Sequence, residues 1–175
     1  MAIAAPEGED IILPDRDQVL EVLNDYNLAE ILPYVDKVSD APLVAEIPAP
    51  GKIERKKKDK KLGTETWELS NGVKVVFKNT DFKEDEILMR AHSFGGTSLY
   101  DVDDLMSASN ATSVVSMSGL AGFSEVELQK KLAGKIVNAY PYIGGVEEGF
   151  RGSCRPEDFE TMMQLIYLYF TEPRK

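Results

Sequence analysis

The chain contains a single histidine, His92, and a single cysteine, Cys154. Those two residues bound the chemistry it can perform. A hydrolytic zinc site draws on two or three imidazoles at close spacing, such as i and i+4 on a helix, and one histidine cannot supply them. One cysteine excludes an internal disulfide and a cysteine-based zinc site. A general base at His92 would need a nucleophile beside it and a group to bear developing charge. His92 instead alternates with Leu88, Arg90 and Phe94 in a β-prone run, which predicts a structural histidine on a strand. Cys154 has no histidine close in sequence, and a buried apolar thiol is its expected state.

The remaining polar clusters are equally plain. Glu147-Glu148 has no cationic or metal-binding neighbour in sequence and predicts a solvated strand end. Gly119-Leu-Ala-Gly122 is not followed by Gly-Lys-Ser/Thr, so it is no phosphate loop, and Gly95-Gly96 and Gly144-Gly145 predict turns. Ser116 and Ser118 fit no nucleophile elbow. Tyr167 and Tyr169 lie in a helical pattern, where packing is their expected role. No catalytic, cofactor-binding or metal-ligating residue is assigned, and no cofactor is expected in this chain.

The elements that would position such residues follow from periodicity. Residues 1–61 predict an arm. Within it, Pro14 and Asp15 open a short amphipathic helix with Val19, Leu20, Leu23 and Tyr26 on one face, and Pro33 stops it. Pro42, Pro48 and Pro50 then favour an extended segment. The run from Lys52 to Lys61, basic at seven positions, predicts a solvated linker.

Residues 62–175 predict a partial α+β domain. Asn71-Gly72 between two β-prone runs predicts a two-residue hairpin, with Trp67, Leu69, Val73, Val75 and Phe77 on a buried face. Glu86 to Phe94 predicts a third strand. Asp101 to about Val115 predicts a helix capped by Asp101 or Asp103. Ser124-Glu-Val-Glu127 is a capping box opening a short helix to about Leu132. Lys135–Tyr142 and Val146–Ser153 predict two more strands. A last helix begins at Pro156, carries Phe159, Met162, Met163, Ile166 and Phe170 on one stripe, and ends at Pro173. The order β-β-β-α-α-β-β-α indicates a largely antiparallel sheet with helices packed on one face.

Net charge is −10, and residues 1–50 hold eleven Asp and Glu against Arg16 and Lys37. Nucleic acid is therefore not an expected partner, because phosphate neutralisation supplies most of that affinity. No run approaches the roughly 18 apolar residues of a membrane span. Met1-Ala-Ile-Ala-Ala is too short and lacks the basic start of a signal peptide.

From Trp67 to Arg174 the chain resembles one half-unit of the pitrilysin/insulinase zinc metallopeptidases. The resemblance rests on Leu69-Ser-Asn-Gly-Val-Lys-Val-Val, Phe94-Gly-Gly-Thr-Ser-Leu-Tyr, Leu128-Gln-Lys-Lys-Leu-Ala-Gly-Lys, and Asp158-Phe-Glu-Thr-Met-Met-Gln-Leu-Ile-Tyr-Leu-Tyr-Phe-Thr-Glu-Pro-Arg, in that order. In that family the catalytic half carries H-x-x-E-H on the helix after the third strand. The corresponding Asp104-Leu-Met-Ser-Ala-Ser-Asn-Ala-Thr-Ser-Val-Val holds neither histidine nor glutamate. The resemblance thus implies the start of the metal-free second half, preceded by the linker between halves. It implies a non-catalytic, substrate-enclosing role, with zinc in the other half of the parent. The implied partners are the parent's catalytic half and peptide substrates, and the implied compartment is the periplasm or cell envelope. An isolated piece with open strand edges is expected to self-associate. Two other readings stand beside this one: a self-sufficient hydrolase built around His92 or Cys154, and a stand-alone protein-binding module with no catalytic parent.

Overall fold

The computed structural model describes residues 12–28, 32 and 39–174. The chain divides into two compact units, Met1–Lys37 and Val38–Lys175.

In the first unit, helix α1 spans Arg16–Leu28. Asp15 starts it. Its Oδ1 accepts from the amides of Asp17 and Gln18 at 2.8 Å each, and its own amide donates to Gln18 Oε1 at 2.9 Å. Amides left open by the first turn are thereby satisfied. Leu20 and Leu23, on the expected apolar stripe, are exposed. The expected stop at Pro33 and the side chain of Tyr26 lie outside the described residues.

The second unit opens with β1 (Ile53–Asp59), β2 (Thr64–Leu69) and β3 (Lys74–Lys78), an antiparallel sheet in that order. This corrects the expected division into a 1–61 arm and a 62–175 domain. The basic run is not a linker; it is β1, paired with β2 from Ile53 opposite Leu69 to Asp59 opposite Thr64. Every residue of β1 is exposed, so no apolar alternation marks it. Backbone pairing and cross-strand attraction hold it instead: Arg55 to Glu68 at 3.7 Å, Lys58 to Glu65 at 3.4 Å, and Lys56 Nζ 4.4 Å from the Trp67 ring centroid.

The turn at Asn71-Gly72 has one residue more than expected. Leu69 N donates to Val73 O and Gly72 N to Leu69 O, both at 2.9 Å, which closes a three-residue loop. Only Gly72 takes a left-handed φ, +85°, while Asn71 Oδ1 accepts from Val73 N at 3.2 Å. A turn followed by one left-handed residue is the three-residue hairpin form. Trp67 and Phe77 pack at 4.4 Å, but Val73 and Phe77 stay exposed, so the expected buried face is only half-buried.

A second antiparallel sheet consists of β4 (Ile87–Phe94), β5 (Val137–Ile143) and β6 (Glu147–Cys154) in the order β4-β6-β5. Between β4 and β5 the chain forms α2 (Leu105–Ser118) and α3 (Glu125–Lys131). Helix α2 begins later than expected: the residue before it is Asp104, whose side chain makes no capping bond, so Asp101 and Asp103 cap nothing there. The capping box of α3 forms as expected. Ser124 Oγ accepts from Glu127 N at 3.3 Å, and Ser124 N donates to Glu127 Oε2 at 2.8 Å.

After a 3₁₀ turn at Pro156–Asp158, α4 runs Phe159–Thr171 and packs on β5 and β6. Its buried residues are Thr161, Met162, Leu165, Ile166 and Leu168, whereas Phe159, Met163 and Phe170 of the expected stripe are exposed. The core joins this face to Ala139, Phe150 and Cys154 of the sheet, to Leu120 and Phe123 after α2, and to Leu43 and Val44. The molecule is thus α+β with antiparallel sheets, in two sheets of three strands where one was expected. No helix among the described residues is long and apolar enough to cross a membrane.

Asp158 pins the start of β5 to the start of α4. Buried, it accepts from Ile136 N at 2.9 Å and Lys135 Nζ at 3.2 Å. The Ile136 amide, and then Lys135, hold its carboxyl below the ordinary value of 3.8. A depressed folded-state pKa means the ionised group stabilises the fold above the unfolded value, and that contribution is lost as pH falls through the folded one. Denaturant titrations of wild type and Asp158→Asn from about pH 6 to about pH 3 should show the wild-type advantage shrinking with acidification. A constant difference across that range would contradict the clamp.

Candidate functional site

His92 lies on a strand, β4, with its side chain exposed and edge-on to Phe94 at 6.1 Å. The reason is that its whole strand face is open: Leu88, Arg90 and Phe94, its alternation partners, are exposed too. Cys154 is buried, and desolvation, with smaller contributions from Asp158 and Glu157, pushes its thiol pKa up. The register separates the two residues. His92 is opposite Gly149 and Cys154 opposite Ile87, so they point to opposite faces of the sheet, roughly 17 Å apart along the strands. No cysteine–histidine pair can form.

The other sequence candidates also scatter. Ser118 Oγ donates to Val114 O at 2.9 Å along its own helix. Tyr167 and Tyr169 pack against the core, the latter with its ring 5.8 Å from that of Phe150. Gly119 precedes, and Gly122 lies within, the turn in which Leu120 bridges Phe123. Among the described residues no three His, Cys, Asp or Glu are grouped to hold a metal ion.

One constellation was not legible from sequence spacing. Strand alternation puts Leu88, Arg90, His92 and Phe94 of β4, Glu147 and Arg151 of β6, and Tyr140 and Tyr142 of β5 on the sheet face opposite the Phe150–Cys154 core. Arg90 and Arg151 are direct cross-strand partners. Arg90 Nη2 donates to Glu147 Oε1 at 2.5 Å, which gives Glu147 the cationic partner its sequence neighbours lack. Both guanidiniums lie over the Tyr142 ring, Arg90 at 5.9 Å and Arg151 at 5.0 Å from its centroid. Polar contact with the Tyr142 hydroxyl, and then the charge of Glu147, hold Arg90 above its ordinary pKa. That contact falls short of a hydrogen bond, and the buried hydroxyl has no hydrogen-bond partner among the described residues. The sequence signal for this cluster is weak, because residues 90, 142, 147 and 151 meet only once the β4-β6-β5 register is known.

Such a face can bind; it has no nucleophile with an adjacent base. Exposed Leu88, Phe94 and Tyr140 offer apolar surface, and the guanidiniums offer charge-assisted donors for a carboxylate.

No family model matches the chain. It is 28% identical over 159 residues to a protein described as zinc protease PQQL-like from Arabidopsis thaliana, covering 89% of this chain and 14% of that protein. Its fold resembles the crystal structure of the periplasmic protease PqqL from Escherichia coli, with a TM-score of 0.71 and 21% identity, covering 91% of this chain and 18% of that one. It also resembles an alanine mutant of the ferredoxin protease FusC in complex with Arabidopsis ferredoxin, with a TM-score of 0.69 and 20% identity, covering 94% of this chain and 18% of that one. The chain therefore spans less than a fifth of each relative. Across nearly its whole length the chain is thus similar in sequence to a small part of a zinc protease, and it shares the α+β fold of the corresponding part of PqqL, in keeping with its resemblance to the pitrilysin/insulinase zinc metallopeptidases.

Proposed function

We propose that this chain is a non-catalytic, substrate-enclosing part of a larger zinc metallopeptidase, with the zinc site carried elsewhere in the parent. The observation that carries this is the composition of residues 104–115, which are the residue before α2 and most of that helix. On the helix after the β4 strand, where the family's catalytic half bears H-x-x-E-H, this segment has no histidine and no glutamate. The lone His92 on exposed β4 cannot substitute for a cluster of imidazoles. Proteolysis would then belong to the parent, and this part would help to close a chamber around polypeptide substrates. The ferredoxin bound to FusC supports a folded protein or a peptide as the enclosed substrate. The periplasmic location of PqqL supports the cell envelope as the compartment. The segment before β1 would connect this part to the catalytic half. Open edges at β1, β3, β4 and β5 support association with other parts of the parent, or of isolated chains with one another.

The test combines metal analysis, digestion of a peptide pool and light scattering on the purified chain. The expected result is no stoichiometric zinc, no cleavage, and self-association at high concentration. The same digestion by a longer protein that includes H-x-x-E-H should be active and chelator-sensitive. Tight stoichiometric zinc in this chain alone, or chelator-sensitive cleavage by it, would overturn the proposal.

A further inference from the structure

The open β4-β6-β5 face presents a cation suited to an anionic partner. Arg90 and Arg151 stand directly opposite each other, and like charges in that relation cost stability unless negative charge is supplied. Glu147 compensates Arg90. Arg151 has no carboxylate partner among the described residues and rests on the Tyr142 ring. The Tyr142 hydroxyl, shut off from solvent, has no hydrogen-bond partner, although buried hydroxyls normally find one. That hydroxyl lies beneath the two guanidiniums and is closed to an incoming group, so exposed Arg151 is the donor open to a carboxylate.

The surroundings select the source of that carboxylate. Leu88 is 74% exposed, Phe94 85% and Tyr140 41%, all on the same face. A free inorganic anion gains nothing from these apolar surfaces, whereas a polypeptide with apolar residues beside its acidic ones buries them. The whole chain carries net charge −10, so on this sheet the local complementarity of Arg151, and not the overall charge, orients an acidic partner.

Resting on the substrate-enclosing reading, we propose that this face binds acidic polypeptide segments, with an Asp or Glu carboxylate held by Arg151 and flanking apolar side chains laid against Leu88, Phe94 and Tyr140. The substrate class favoured by this part of the parent is therefore acidic and partly apolar. Arg151 acts as a specificity residue and takes no part in bond cleavage.

The experiment is fluorescence anisotropy of a fluorescein-labelled peptide alternating glutamate with leucine, titrated with the whole 175-residue chain. Wild type should bind it. Arg151→Glu should weaken binding by about tenfold or more, and Arg151→Ala should act in the same direction. A peptide with lysine in place of glutamate should not bind, and millimolar inorganic phosphate should not displace the glutamate peptide. Circular dichroism of both variants establishes that they fold. No binding by wild type, unchanged affinity in the folded variants, equal binding of the lysine peptide, or full displacement by phosphate would each overturn the proposal. Those failures leave zinc content and cleavage untouched, so they are separable from failure of the substrate-enclosing reading.

Discussion

Replacing Met162 with alanine should lower the unfolding free energy by about 2–5 kcal/mol, the range for truncating a fully buried aliphatic side chain. Total stabilities of about 5–15 kcal/mol make this a large fraction of the whole. Met162 is fully buried where α4 crosses β6. The helix can approach there because residue 152 has no side chain: a Cβ at Gly152 would lie 2.8 Å from Met162 Sδ and 3.2 Å from Asn138 O. Gly152→Ala alone should therefore destabilise by about 1–3 kcal/mol through overpacking. In the double variant the new methyl fills space that the shortened residue 162 vacates, so the combined loss should be smaller than the sum of the two. Denaturant unfolding of the four proteins reads this directly. Strictly additive losses would contradict the seating of α4 on Gly152.

The same helix shows how far sequence patterns carry. Its existence and its end before Pro173 follow from local chemistry, and the structure agrees, whereas Pro156 opens a 3₁₀ turn and the α-helix itself starts three residues later, at Phe159. Its buried stripe does not follow. Phe159, Met163 and Phe170 suit helical spacing as well as Thr161, Leu165 and Leu168 do, because apolar residues surround most of the helix. The gap at Gly152 chooses between the stripes, and that gap belongs to another element 10 residues away in the chain. Strand β1 fails for the opposite reason. A run of lysines on a fully exposed strand has no buried face to impose a period of two, and its partners Glu65, Trp67 and Glu68 become visible only through the ladder. The capping box at Ser124 was legible because donor and acceptor lie within one turn.

The candidate site divides along the same line. What the chain lacks is read from composition, since one histidine is one histidine in any fold. What it offers is not. Arg90 and Arg151 are 61 residues apart in sequence and become neighbours through a register that period-two alternation leaves free to slide. Glu147 looked unpartnered for the same reason, its cation lying on a different strand.

That register is fixed at one end by glycine, which leads to the second large effect. Gly96→Ala should destabilise the chain by about 2–4 kcal/mol, from left-handed strain together with a backbone collision. Gly96 has φ +66°, and a Cβ there would lie 2.3 Å from Gly144 O, 2.8 Å from Glu147 O and 2.9 Å from Glu147 N. These are backbone atoms of the β5–β6 turn, so no rotamer change relieves the contact. Around it, Gly95 N donates to Val146 O at 3.0 Å, Thr97 N to Gly144 O at 2.8 Å and Ser98 N to Gly145 O at 2.9 Å. The end of β4 is thereby buttoned to the turn that carries Glu147. Gly145→Ala in the same turn is the control. A Cβ there meets nothing within 4 Å and φ is not left-handed, so its effect should stay within about 0.5 kcal/mol. Because the button sets where Glu147 meets Arg90, Gly96→Ala should also loosen the arginine face and weaken the glutamate peptide, and Gly145→Ala should not. Equal melting of the two variants would mean that β4 and the turn do not approach this closely, and the geometry of the proposed carboxylate site would fail with it.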